Sequence, residues 1–194
     1  MKRAIVFAAL IAVTYVSLAA PIKAGNDRRF PTFTDSLAKA IPQASEMLSD
    51  IMNVTGLQAN FELKEANVMN IEASISHHKR YILYNPSFIS QINRVTKDKW
   101  AAMFLLAHEV GHHLNGHTIM KGGSSPALEL EADQFAGFIM YKLGATLDQA
   151  QEVMKYIART DASPTHPGRA SRLLAIQAGW NKAANVEEAT AGNH

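Results

Sequence analysis

Apolar and polar residues recur along the first half of the chain with two different periods, which predict a helix followed by strands. Between residues 35 and 53 apolar residues return every three or four positions, the spacing of one helical face. Pro42 lies inside this segment and predicts a kink or break. Alternating patterns and β-forming residues then predict three strands, over residues 57–63, 68–76 and 80–85.

The second half of the chain is predicted to be almost entirely helical. A strongly apolar segment over residues 97–116 predicts a buried helix with Asp98 as its N-cap. Capping residues at Ser125 and Thr146 begin two more helices, and a last helix covers residues 168–180. These elements predict an α+β fold, a mostly helical single domain with a small β-sheet beside the buried helix.

The amino terminus resembles a secretory signal. Lys2 and Arg3 precede an apolar segment and a run of small residues, with cleavage expected after Ala19 or Ala24. The alternative is an uncleaved membrane anchor, because the apolar run is near the lower length limit for a membrane span. A cleaved signal predicts a domain in the periplasm or secreted, whereas an uncleaved anchor predicts a domain held on the membrane, outside the cytoplasm. We therefore divide the chain into a signal peptide (1–24), a folded domain (25–180) and a polar tail (181–194).

The charge balance limits the partners that the domain is expected to bind, and the cysteine content limits the residues that can form a metal site. Without the three basic residues of the signal segment, 16 basic and 17 acidic residues remain. The domain therefore has no bulk charge that favours nucleic acid, and we expect membrane association only if the signal is uncleaved. The chain contains no cysteine. Any metal site must therefore be built from His, Asp and Glu side chains.

The buried helix contains an HExxH motif, His108-Glu109-Val110-Gly111-His112. Histidines four residues apart lie on one helical face, so both imidazoles can bind one Zn²⁺. Glu109 is rotated away from this pair and can flank the metal, where a general base takes a proton from activated water. The motif predicts a zinc hydrolase, and most often a protease.

A catalytic zinc needs a third protein ligand, and six downstream residues are candidates: His113, His117, Glu129, Glu131, Asp133 and His166. The extended motif HExxHxxGxxH would supply a third histidine. Here Asn115 takes the place of its glycine, and His117 comes one residue too early. We therefore expect His113 and His117 to lie at the surface or to support the ligands from behind.

Helical phase separates the acidic candidates. Glu129 and Asp133 are four residues apart and share one face, whereas Glu131 points roughly the opposite way. A helix that presents Glu129 to the metal places Asp133 one turn behind it, where it can accept the ring N–H of a liganding histidine. The alternative is an ordinary acidic helix start, favoured by the helix dipole.

Three motifs together resemble the HtpX-like, Ste-type and Oma-type zinc metallopeptidases, which are gluzincins. They are AHEVGHHLNGH (107–117), ELEAD (129–133) and THPGRASR (165–172). The resemblance implies a zincin-like domain and one zinc ion per chain, bound by His108, His112 and Glu129. It also implies that Glu109 is the base, that Asp133 supports a ligand, and that His166 approaches the site. Many members carry membrane helices or a tetratricopeptide domain, so we expect a minimal exported member.

The THP segment leaves two interpretations open. His166 can donate to a developing oxyanion or occupy the open position of the zinc at rest, whereas the alternative is a loop histidine beside a turn fixed by Pro167. We expect Arg172 to be a structural ion-pair partner.

The predicted function is that of a zinc metalloendopeptidase that hydrolyses peptide bonds in exported proteins. We expect a monomer whose partner is a protein or peptide substrate. The resemblance also implies that residues 80–85 form an edge strand beside the cleft, to which an extended peptide can add by backbone pairing. The alternative is an ordinary core strand, and both can hold. The alternative function is a non-catalytic, metal-stabilised envelope chaperone or binding domain that retains the site.

Overall fold

The computed structural model describes residues 5–6, 33–119 and 124–191, with side chains described over 43–119 and 124–191. The predicted signal peptide lies outside the described residues except for Ile5 and Val6. The elements in chain order are β1 (Ile5–Val6), α1 (Phe33–Thr55), β2 (Glu62–Glu65), β3 (Ile71–Ser76), β4 (Lys79–Tyr84), α2 (Pro86–Thr96), α3 (Trp100–Leu114), α4 (Pro126–Lys142), α5 (Leu147–Glu152), α6 (Met154–Ile157) and α7 (Arg169–Ala191). The prediction of a mostly helical α+β domain is therefore confirmed.

The sheet has the strand order β1-β3-β4-β2. Strands β3 and β4 form an antiparallel hairpin, in which Ile71 lies opposite Tyr84. Its turn is made by His77 and His78, which have positive φ angles of 49° and 64°. Because β2 pairs in parallel with β4, it covers the outer edge of that strand. The expectation that residues 80–85 form the edge strand beside the cleft is therefore wrong, since β4 is an inner strand.

Helix α3 is the buried centre of the domain. Every residue from Ala101 to His113 is buried, including the large side chains of Phe104 and Leu106. The helix packs against α4 and against β3, as well as α1 and α2. Such complete burial places the polar side chains of the HExxH motif in a protein interior, where they need partners or a ligand.

Helices α4 and α7 approach each other closely enough that two positions require glycine. A Cβ on Gly137 would lie 2.1 Å from the Ile176 carbonyl oxygen, and one on Gly179 would lie 1.8 Å from the Gln134 carbonyl oxygen. This close contact brings the first turn of α7 against α4, so that Arg172 reaches the buried side of that helix.

Some predicted boundaries differ from the structure. Helix α1 continues through Pro42 without a break, and α7 extends past residue 180 to Ala191, where the sequence had predicted a polar tail. Lys142 lies 3.2 Å from Glu187 and ties this extension to α4. None of the helices in the described part of the chain has the length and apolar character that a membrane span requires.

Candidate metal centre

Helices α3 and α4 bring three predicted ligands to one point. The Nε2 atoms of His108 and His112 are 3.0 Å apart. Glu129 places Oε2 3.5 Å from Nε2 of His108 and Oε1 3.6 Å from Nε2 of His112. All three residues are at most 2% exposed. Within the described residues, this is the group of histidine and carboxylate side chains that can hold a metal ion.

The donor atoms fit a small tetrahedral cation. Two ligands at a zinc–nitrogen distance of about 2.0–2.1 Å and tetrahedral angles lie about 3.3 Å apart, close to the three separations observed. Oε2 of Glu129 is buried and has no hydrogen-bond partner in the structure. An unpaired carboxylate oxygen in a protein interior is costly, and a cation between the three residues would satisfy it.

A chain of charged partners holds His108 in place. Its Nδ1–H donates to Oδ1 of Asp133 at 2.9 Å. Arg172 donates to both oxygens of the same carboxylate, with two distances of 2.7 Å. When Nδ1 keeps this proton, Nε2 is the atom of His108 that can bind a metal ion, and it faces His112 and Glu129. The predicted support of a ligand by Asp133 therefore matches the geometry, as does the ion-pair role of Arg172.

The pKa values of His108 and His112 shift in opposite directions. Burial lowers the pKa of His108, but the adjacent carboxylates of Asp133 and Glu129 outweigh this effect and raise the pKa to about 10. Burial and the nearby charge of His108 lower the pKa of His112 to about 3. In the absence of metal, the pair therefore carries one positive charge, located on His108, between two carboxylates. A metal cation would replace that charge.

Glu109 lies beside this group and is bound to the sheet. Its Oε2 accepts the backbone N–H of Ala73 on β3 at 2.6 Å. Burial raises its pKa to about 8, because the charged form loses water, and the charge of Glu129 acts in the same direction. A carboxyl group with a pKa near neutrality can take up and release a proton under ordinary conditions, as a general base requires.

The THP segment is linked to the metal-binding group through Ser124. Ser124 donates to Oε1 of Glu129 at 2.5 Å and to the Thr165 carbonyl oxygen at 3.4 Å, so it links α4 to this loop. Nδ1 of His166 lies 2.8 Å from Oγ1 of Thr165, while its Nε2 is buried without a hydrogen-bond partner. Burial lowers the pKa of His166, against the charge of Glu129. The neutral ring thus has one polar atom that needs a ligand.

Of the two positions expected for His113 and His117, the surface is wrong, since each is only 1% exposed. The other position, behind the ligands, agrees with the contact between His117 and His112. His113 stacks on Phe61, with 4.9 Å between ring centroids, and its Nε2 lies 2.9 Å from the Tyr81 carbonyl oxygen. His117 contacts His112 and Glu131.

The location of His117 follows from the end of α3. Gly116 has a φ of +76°, which turns the chain back over the helix and returns His117 to the side of His112. Asn115-Gly116 is a sequence that commonly ends a helix, and it indicates the chain reversal that places His117 beside His112.

No protein-family model matches the chain, and neither curated proteins nor solved structures provide a match. The resemblance to gluzincins therefore remains a prediction from three motifs. Two of those motifs supply the buried histidine and carboxylate group, and the third supplies the unpaired nitrogen of His166.

Proposed function

We propose that the chain is a zinc-dependent endopeptidase of the gluzincin type, with a zincin-like fold. The observation that carries this proposal is the location of Glu109 beside the three metal-binding side chains. Two imidazoles and one carboxylate form a donor set that catalytic zinc sites use, and it leaves a position for water or substrate. A site that only stabilised the fold would not need a further buried carboxyl group with a raised pKa.

The proposed mechanism assigns each residue a separate task. A bound zinc ion supplies Lewis acidity, which polarises the scissile carbonyl and makes water more acidic. Glu109 accepts the proton of the attacking water and passes it to the leaving amine. His166 directs its unpaired Nε2 towards the developing oxyanion, and Asp133 holds the ring of His108.

An extended peptide is proposed to bind along β3 rather than β4. Ala73, the residue whose N–H reaches Glu109, lies on β3, so a strand paired with β3 would run past the base. In the structure β1 occupies this edge in antiparallel pairing, with Val6 opposite Ser74. This pairing supports the proposal that the β3 edge binds an extended peptide through backbone hydrogen bonds. Exported proteins are the proposed substrates, and the enzyme is proposed to act as a monomer.

The alternative function is a metal-stabilised chaperone or binding domain without catalysis. The raised pKa of Glu109 argues against it, because burying this carboxyl group costs stability that a purely structural domain could recover with a glutamine.

The proposal is tested by replacing the base alone. Glu109→Gln keeps the shape and the oxygen that accepts from Ala73, so the variant is expected to bind one zinc ion per chain and to lose hydrolysis of an unstructured protein substrate. Glu188→Gln, an exposed carboxylate on α7, serves as the matched control and is expected to cleave like the parent. Equal cleavage by Glu109→Gln and the parent would refute the assignment of the base. Zinc binding with no cleavage by the parent would favour the non-catalytic alternative.

A further inference from the structure

The second metal-binding histidine has a support of its own. Nδ1 of His112 lies 3.0 Å from Nδ1 of His117. Nε2 of His117 lies 3.0 Å from Oε2 of Glu131. The two rings meet edge to face, with centroids 5.1 Å apart and an interplanar angle of 70°. The three residues form a continuous series of contacts that leads away from the metal centre on the side opposite Asp133.

The chemistry of the end groups sets the direction of these hydrogen bonds. An ionised carboxylate has no proton to donate, so Nε2–H of His117 donates to Glu131. If His112 binds a metal ion through Nε2, its proton is on Nδ1, and Nδ1–H of His112 donates to Nδ1 of His117. This order leaves the lone pair on Nε2 of His112, which faces His108 and Glu129 at 3.0 and 3.6 Å. The tautomer that binds metal is therefore the one that His117 selects.

We propose that His117 and Glu131 are positioning residues for the metal ligand His112. They hold the ring of His112 in position as Asp133 and Arg172 hold that of His108, but the burial of the two carboxylates differs. Asp133 is fully buried, whereas the Glu131 side chain is 59% exposed. His117 is thus the buried part of this support, and Glu131 fixes its ring from the surface. The inference rests on the metal site of the proposed function, and it does not depend on peptide hydrolysis.

The test measures zinc affinity by competition with a chromophoric chelator at fixed pH. His117→Phe keeps a buried ring but removes the acceptor, and we expect affinity to fall about 10–100-fold. In His117→Asn the side-chain oxygen takes the place of Nδ1 and can accept from His112, so affinity is expected within a few-fold of the parent. The absorption spectrum of the Co²⁺-substituted protein should change in the Phe variant and be retained in the Asn variant.

The matched control is His113→Phe. His113 is as buried as His117 and lies on the same stretch of chain, but its ring contacts Phe61 and Tyr81 rather than a ligand. This variant should lower thermal stability and leave zinc affinity unchanged. If both phenylalanine variants weaken zinc binding equally, the effect is general loosening of the fold and the inference is overturned.

A second variant decides the matter if His117→Phe does not fold. Glu131→Ala changes an exposed side chain, and a loss of zinc affinity of about threefold or more would support the inference. Unchanged affinity would overturn it. If the parent binds zinc and both variants bind equally well, only this inference fails. If the parent itself binds no zinc, the proposed function fails with it.

Discussion

Replacing Glu109 by Gln is expected to stabilise the metal-free protein while it removes the proposed activity. The Glu109 carboxyl group is 2% exposed, and its principal protein hydrogen bond comes from the Ala73 N–H. A glutamine oxygen can accept the same bond. The substitution therefore removes an ionisable group from a buried position without leaving a cavity or a lost donor.

The magnitude follows from the raised pKa. Burial raises the pKa of Glu109 from 4.5 to about 8 in the folded chain. Between these two values the unfolded chain has lost the proton and the folded chain has kept it, so stability falls by about 1.4 kcal/mol per pH unit. Stability from this group is complete below pH 4.5 and is lost as the pH rises to about 8. At pH 7 this effect has lowered the unfolding free energy of the parent by about 3 kcal/mol, and the glutamine variant does not lose this stability.

The assay is urea unfolding of the metal-free parent and of Glu109→Gln, at several pH values from 5 to 8.5. The difference in unfolding free energy should increase with pH. In thermal unfolding at pH 7, the melting temperature of the variant should be roughly 6–12 °C above that of the parent. The exposed control Glu188→Gln should show the parent's pH dependence. A difference between parent and Glu109→Gln that is small and independent of pH would refute the claim that this carboxyl group is neutral in the folded, metal-free protein.

Three further predictions concern the surroundings of the metal centre. Arg172→Met removes two hydrogen bonds to the buried Asp133 carboxylate and leaves His108 as its remaining partner, so it should cost about 1.5–3 kcal/mol in urea unfolding, whereas a loss below about 1 kcal/mol would contradict the ion-pair assignment. Gly179→Ala places a Cβ 1.8 Å from the Gln134 carbonyl oxygen and should lower stability by at least about 1–3 kcal/mol, measured as a fall in melting temperature. Zinc binding at pH 7 should release at least about one proton, because the pKa of His108 is about 10 in the metal-free protein. Calorimetry in buffers of different ionisation enthalpy would show this release, and a heat that does not depend on the buffer would contradict it.

The metal centre could be predicted from the sequence because its geometry is set by helical periodicity. A spacing of four residues places His108 and His112 on one face, and the same spacing aligns Glu129 with Asp133. Each pair lies within a single helix, so its arrangement does not depend on the rest of the fold. The capping signals at Ser125 and Thr146 also fixed where α4 and α5 begin, and both caps are present in the structure.

The sheet could not be ordered in the same way, because pairing joins residues that are distant along the chain. The alternating pattern located β3 and β4, but it carries no information on which strand lies at the edge. Strand β2 pairs in parallel with β4, and this connection makes β4 an inner strand and leaves β3 beside α3. The contact between Ala73 and Glu109, 36 residues apart, follows from that order.

The contact between His117 and His112 could not be predicted from the HExxH motifs. In HExxHxxGxxH the third histidine binds the metal, and His117 lies one residue before that position. A ring that cannot reach the metal can still bind a residue that does. Because α3 ends at Leu114 and Gly116 reverses the chain, a position one residue early for a ligand lies beside Nδ1 of His112. The two candidate metal ligands therefore have supports from different elements. His108 depends on α4 and α7, and His112 depends on the turn after its own helix and on Glu131.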